Sequence, residues 1–106
     1  SCAIGPRIWL QPGADQWPAL AIRLIIQRNG TTIFDDTTSP QRMHRTLPDL
    51  VEFLGRCKSF PTGAFLLTGT GIVPPDDFTL QPGDQVTVSI DQIGELCNPV
   101  QVIKIN

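Results

Sequence analysis

The chain has 106 residues, 41% of them hydrophobic and 17% charged, with a formal net charge of −2. That length holds one domain with one core, and the composition is that of a globular chain rather than a disordered one. The mildly acidic balance excludes the basic stripe of a nucleic-acid reader, since Arg42, His44 and Arg45 form the only local basic run.

A surface this short of charge tolerates cover by a partner. Three cysteines, Cys2, Cys57 and Cys97, are widely spaced, odd in number and far from the single histidine, His44. They predict reduced thiols in a cytoplasmic protein, with no disulfide partner and no structural zinc. The longest apolar stretch, around Leu24 to Ile26, falls far short of the ~20 residues of a membrane helix. The chain opens on Ser1 rather than methionine, which reads as residues removed or belonging to a tag.

Residues 1–18 are broken by Gly5-Pro6, Pro12-Gly13 and Pro18, and predict an irregular arm with one brief strand at Ile8-Trp9-Leu10. From Leu20 to Arg28, Leu20, Ile22, Leu24 and Ile26 alternate with Ala21, Arg23, Ile25 and Gln27, the period of a half-buried strand. Asn29-Gly30 then supplies the two positive-φ residues of a type I′ turn, and Thr31 to Thr37 is the return strand. Thr38-Ser39-Pro40 breaks the pattern.

One helix of about ten residues follows. Thr46 caps it, Pro48 is tolerated in its first turn, and Asp49 completes the cap spacing. Leu47, Leu50, Val51 and Leu54 recur on one face, widened by Phe53 and Cys57, and so short a helix is expected to depend on packing against a sheet. Ala64 to Thr68 reads as a short buried strand running into the glycine- and proline-rich segment from Gly69 to Pro75. Gln81-Pro82-Gly83-Asp84 fits a type II turn. Val86, Val88 and Ile90 alternate with polar neighbours, Gly94 marks a turn, and Leu96 to Ile105 forms a last strand interrupted by Asn98-Pro99. The expected class is mostly β with one helix, in five or six strands, as a single domain over residues 1–106.

Chemistry-bearing constellations are few. Asp35-Asp36 and Asp76-Asp77 are adjacent pairs whose side chains diverge on a strand, and Asp76-Asp77 after two prolines suits a turn. Glu52 and Glu95 lack partners at metal-ligand spacing. No nucleophile elbow is present, and His44 is expected at the surface. Gly69-Thr70-Gly71 is no dinucleotide fingerprint, because Pro74-Pro75 follow where a helix would have to open. Its backbone N–H groups and the Thr70 hydroxyl could still bond a carboxylate, although a tight connection needing small residues explains the same glycines.

The run from Leu66 through Thr68-Gly69-Thr70-Gly71-Ile72-Val73-Pro74 to Pro82-Gly83-Asp84 resembles the fumarylacetoacetate hydrolase family. The likeness continues through Ile90 to Val100 and backward to Cys2-Ala3-Ile4-Gly5-Pro6, so it covers essentially the whole chain and corresponds to the family's carboxy-terminal half. Thr-Gly-Thr-Gly-Ile-Val-Pro is most similar to the 2-keto-3-deoxy sugar-acid dehydratase subgroup. The resemblance implies a partial mixed β-sandwich roll in which Gly69 and Thr70 contact a substrate carboxylate or keto oxygen; Arg7, near the arm, was considered beside them.

The resemblance also implies Mg²⁺ or Ca²⁺, held in complete members by a Glu-x-Glu pair, an aspartate and a nearby lysine upstream of the segment matching Ser1. No Glu-x-Glu occurs in this chain, so no cofactor, metal ligand or catalytic residue is expected within it. Gln92 and Cys97 stand where relatives carry, between them, a glycine and an acidic or polar residue. The expected function is a free-standing half domain, not catalytic alone, stabilised by self-association. The alternatives are one chain of a split or truncated metal-dependent hydrolase or dehydratase of 2-keto acids, completed by an amino-terminal half, and a small keto-acid or carboxylate binding module.

Overall fold

The chain is described here by a computed structural model covering residues 2–5, 7–10, 18–56 and 58–104. Alternation of apolar and polar residues produces β1 (Ile22–Arg28) and β2 (Thr31–Thr38), joined by Asn29 and Gly30 at φ 51° and 78°. Both turn residues lie in the left-handed region that a type I′ turn demands. A 3-10 turn (Pro40–Arg42) leads to α1 (Leu47–Gly55), and the chain closes with β3 (Gln85–Ile90) and β4 (Gly94–Pro99).

The four strands form one antiparallel sheet in the order β2-β1-β3-β4. Ile22, Leu24 and Ile26 lie opposite Ile90, Val88 and Val86, and Leu96 lies opposite Val88, so the alternating apolar residues share one face. A bulge between Ile26 and Gln27 shifts the β1–β2 register, leaving Phe34 beside Ile26. The other face is polar, with Arg23 bonded to Asp35 by two hydrogen bonds of 2.9 and 2.6 Å.

The Gln81–Asp84 turn forms as its sequence requires: the Asp84 N–H donates to the Gln81 carbonyl at 3.1 Å and Gly83 sits at φ +90°. The Thr46 hydroxyl accepts from the Asp49 N–H at 3.3 Å and caps α1.

Four expectations are corrected. Residues 64–68 form no strand, and Phe65 and Leu67 stand 66% and 74% exposed. An apolar run becomes a strand only beside an edge that takes its hydrogen bonds, and none is offered to it among the described residues. Residues 7–10 likewise form no strand, and the last strand stops at Pro99, so among the described residues four strands stand where five or six were expected. No residue of α1 is buried; Val51 and Phe53 are exposed, and Phe53 lies under the Arg56 and Arg45 guanidinium groups at 4.3 and 5.5 Å. The expected placement of Cys57 on the helix edge lies outside the described residues, as do residues 11–17 of the arm.

Ile26 and Ile72 are the buried apolar side chains among the described residues. A monomeric globular chain of this mass exposes roughly 5,800 Å²; this one exposes 8569 Å². Apolar side chains outside the sheet, among them Phe65, Leu67 and Val73, account for part of this exposed surface.

Candidate functional site

The glycine-threonine loop joins the uncovered run at 64–68 to the segment that covers one end of the apolar face. Gly69 takes φ +88°, a backbone position that favours glycine. The Thr70 hydroxyl accepts from the Ile72 N–H at 3.0 Å, closing a small turn. Ile72, 5% exposed, anchors the loop in the core. Gly69 and Thr70 stand at the surface, and no carbonyl among the described residues accepts from their N–H groups.

Backbone N–H groups at an exposed glycine-containing turn can receive an anionic oxygen. The Thr70 hydroxyl also donates to the Ile72 carbonyl at 3.5 Å, so its O–H is engaged within the turn and one acceptor lone pair remains. The two residues expected as a site are thus together and accessible.

Beyond the loop, the segment 74–80 lies over the apolar face and borders a cleft of about 400 Å³ with Leu24, Ile26, Pro74, Phe78 and Val86. Phe78 packs against Phe34 with ring centroids 6.1 Å apart. A larger cleft of about 640 Å³ lies between the arm and β3–β4, walled by Ile8, Phe65, Leu66, Val88 and Leu96 with Arg7 at its margin. Arg7 donates to the Ile93 carbonyl at 3.3 Å and packs on Gly94. Gly69 and Thr70 line neither cleft, so Arg7 and the loop are not one constellation.

The strongest polar interaction was not visible in the sequence. Asp84 is fully buried and accepts two bonds of 2.8 Å from Arg28, while the Gln81 N–H donates to it at 2.9 Å. Arg28 also donates to the Thr79 carbonyl at 3.1 Å. The Arg28 guanidinium, then the Gln81 N–H, hold the Asp84 carboxyl down at about 2, against the upward push of burial. Together they tie the end of β1 to the Pro-Gly-Asp turn. The turn motif signalled the aspartate's place; only the fold supplies its partner 56 residues away.

The remaining carboxylates are engaged locally or dispersed. Asp35 is held below its usual range by the Arg23 guanidinium, Asp91 accepts from the Ala21 N–H, and Asp36 from the Thr37 N–H. A turn closes over Asp76 and Asp77 with the Phe78 N–H on the Pro75 carbonyl at 2.9 Å, and Glu52 pairs with Arg56 along α1. No three His, Cys, Asp or Glu side chains converge among the described residues. The described residues do not fit a Mg²⁺ or Ca²⁺ centre, which takes several convergent oxygen ligands. His44 is exposed before the helix, and Cys2 and Cys97 are exposed free thiols. No described helix is long and apolar enough to cross a membrane.

Residues 1–101 match the family described as fumarylacetoacetate (FAA) hydrolase C-terminal. The chain is 36% identical over 102 residues to a Haloferax volcanii protein named "Probable 2-keto-3-deoxyxylonate dehydratase", covering 96% of this chain and 35% of that one. It is 35% identical over 100 residues to the 2-dehydro-3-deoxy-D-arabinonate dehydratase of Saccharolobus solfataricus, covering 94% and 34%. Among solved structures, 2-keto-3-deoxy-D-arabinonate dehydratase complexed with magnesium and 2,5-dioxopentanoate superposes with TM-score 0.76 at 33% identity, over 87% of this chain and 31% of that one. The apo form gives TM-score 0.78 at 31% identity, over 91% and 33%. The chain thus spans about a third of the length of these relatives. From loop to closing hairpin, it belongs to the fumarylacetoacetate hydrolase family, within the family's carboxy-terminal domain.

Proposed function

We propose that residues 1–106 act as one folding unit that is not catalytic by itself and that self-associates, presenting the Gly69–Thr70 loop to a small 2-keto acid in the cytoplasm. The observation that carries this reading is the uncovered apolar surface of the segment from Phe65 to Val73. Phe65, Leu67 and Val73 are largely exposed while two apolar side chains are buried among the described residues, and burying such surface drives association. The excess over a monomer of this mass, roughly 2,700 Å² on one chain, is of the order of the roughly 1,000–2,500 Å² that each partner buries in obligate interfaces.

The absence of catalysis by the chain alone is supported by its sequence. It holds two glutamates, Glu52 and Glu95, in no Glu-x-Glu arrangement. The exposure of Gly69 and Thr70, with no acceptor among the described residues for their N–H groups, supports the keto-acid reading, because a carboxylate accepts from backbone N–H groups.

A second reading is favoured by the share of the relatives that the chain spans. In it, these residues are one part of a split or truncated hydrolase or dehydratase acting on acylpyruvates or 2-keto-3-deoxy sugar acids, with the metal carried on another polypeptide. Assay of the purified chain with Mg²⁺ and 2-keto-3-deoxyxylonate, alongside native mass spectrometry, separates the two. Multiples of one polypeptide without turnover are expected. Turnover by the chain alone contradicts both readings, and turnover that appears only on adding a polypeptide with a Glu-x-Glu pair selects the second.

A further inference from the structure

We infer that Thr38 and Gly71 form the seat that fixes the Gly69–Thr70 loop, with Thr38 acting as a positioning residue for the anion the loop receives. The inference rests on the reading of that loop as the keto-acid site and adds residues that the reading does not include.

Thr38 ends β2 and is buried, paired with Ile22 across the sheet. An ideal Cβ built on Gly71 would lie 2.9 Å from the Thr38 Oγ1 but 3.8 Å from its Cβ and 3.9 Å from its Cγ2. The loop backbone therefore rests on the threonine hydroxyl itself. Any side chain at Gly71 must lift the loop or displace Thr38, and Thr38 is held within a paired strand.

Two anchors flank the exposed residues on their carboxy-terminal side: Gly71 on Thr38, and Ile72 buried in the core with its N–H on the Thr70 hydroxyl. A displacement of a few tenths of an ångström at Gly71 passes directly to Thr70, its neighbour. The end of the β1–β2 hairpin thereby sets the height at which the Gly69 and Thr70 N–H groups stand. This also gives Gly71 a steric reason to be glycine where its φ imposes none, since it is not among the positive-φ residues.

The test exchanges sizes across the contact. Gly71→Ala alone should weaken pyruvate binding, followed through the Thr70 amide shift in the 106-residue chain, by roughly tenfold, toward the lower end of what an overpacked contact costs. It should also speed hydrogen exchange at the Ile72 amide by a similar factor. Combining it with Thr38→Ala removes the hydroxyl and leaves the new methyl in ordinary contact, so both readouts should return toward wild type. Thr38→Ser, which keeps the oxygen, should leave both unchanged. Unaltered Ile72 exchange in Gly71→Ala, or no recovery in the double variant, overturns the seat. A wild-type chain whose Thr70 amide does not respond to millimolar pyruvate overturns the keto-acid reading of the loop instead, and with it the functional half of this inference.

Discussion

Replacing Asp84 with asparagine tests the buried pair that closes the sheet end. The carboxyl is at about 2 in the folded chain and at 3.8 in its ordinary state, so the unfolded chain binds more protons between those values. At pH near 3 the difference amounts to about 0.8 proton for this one group. A depressed carboxylate contributes stability that is fully present above its unfolded value and is lost as pH falls through 3.8 toward 2. Thermal melts followed by circular dichroism from pH 2 to 6 should therefore show a steep acid limb in the wild type, and a limb shallower by nearly one proton in Asp84→Asn. At pH 7 the variant leaves Arg28 without its carboxylate, and Tm should fall by roughly 10 °C or more, as expected for a broken buried pair in a small domain. Arg28 keeps 29% of its side chain exposed, so water softens the loss on that side. Asp35 is also depressed by its arginine, but it lies at the surface and contributes equally to both proteins, so the difference isolates Asp84. Equal acid limbs, or an unchanged Tm at pH 7, would refute the assignment of this pair as the clamp between β1 and the turn.

Three further outcomes follow from the same geometry. Gln92 occupies φ +70° in the β3–β4 turn, so Gln92→Gly should stabilise the chain by roughly 0.5–1 kcal/mol in urea unfolding, since left-handed backbone costs a side-chain-bearing residue about 1–2 kcal/mol and glycine's extra chain entropy offsets part of the gain. Gly83→Ala should act in the opposite sense, losing about 1 kcal/mol or more by the same measurement, because Gly83 needs φ +90° and donates to the Val100 carbonyl. Phe65→Ser should weaken self-association by roughly 2–3 kcal/mol per copy, read by sedimentation equilibrium, while leaving monomer Tm within about 2 °C; a ring 66% exposed contributes to cover by another surface rather than to its own core.

What the sequence made legible was local. The hairpin followed from apolar alternation and Asn29-Gly30, the helix cap from Thr46 and Asp49, and the second turn from Pro82-Gly83, because each is decided within a few residues. The apolar run at 64–68 was misread as a strand for the opposite reason: pairing depends on an edge elsewhere, and burial depends on what lies above it. The same holds for α1, whose amphipathic face was correct while its packing was not. At the candidate site, Gly69 and Thr70 are exposed, and the contacts that hold the region did not appear in any local pattern. Arg28 meets Asp84 across 56 residues, and Thr38 meets Gly71 only because β2 ends beneath the loop. Gln92 takes a positive φ that favours glycine, of which its side chain gave no sign in the sequence.

Sedimentation velocity of the isolated chain over a wide concentration range tests most directly whether its uncovered apolar surface is an association surface. Self-association predicts species at twice 11.6 kDa or larger at micromolar concentration, dissociating on dilution. A single 11.6 kDa species at every concentration, with native-like cooperative unfolding, would contradict it.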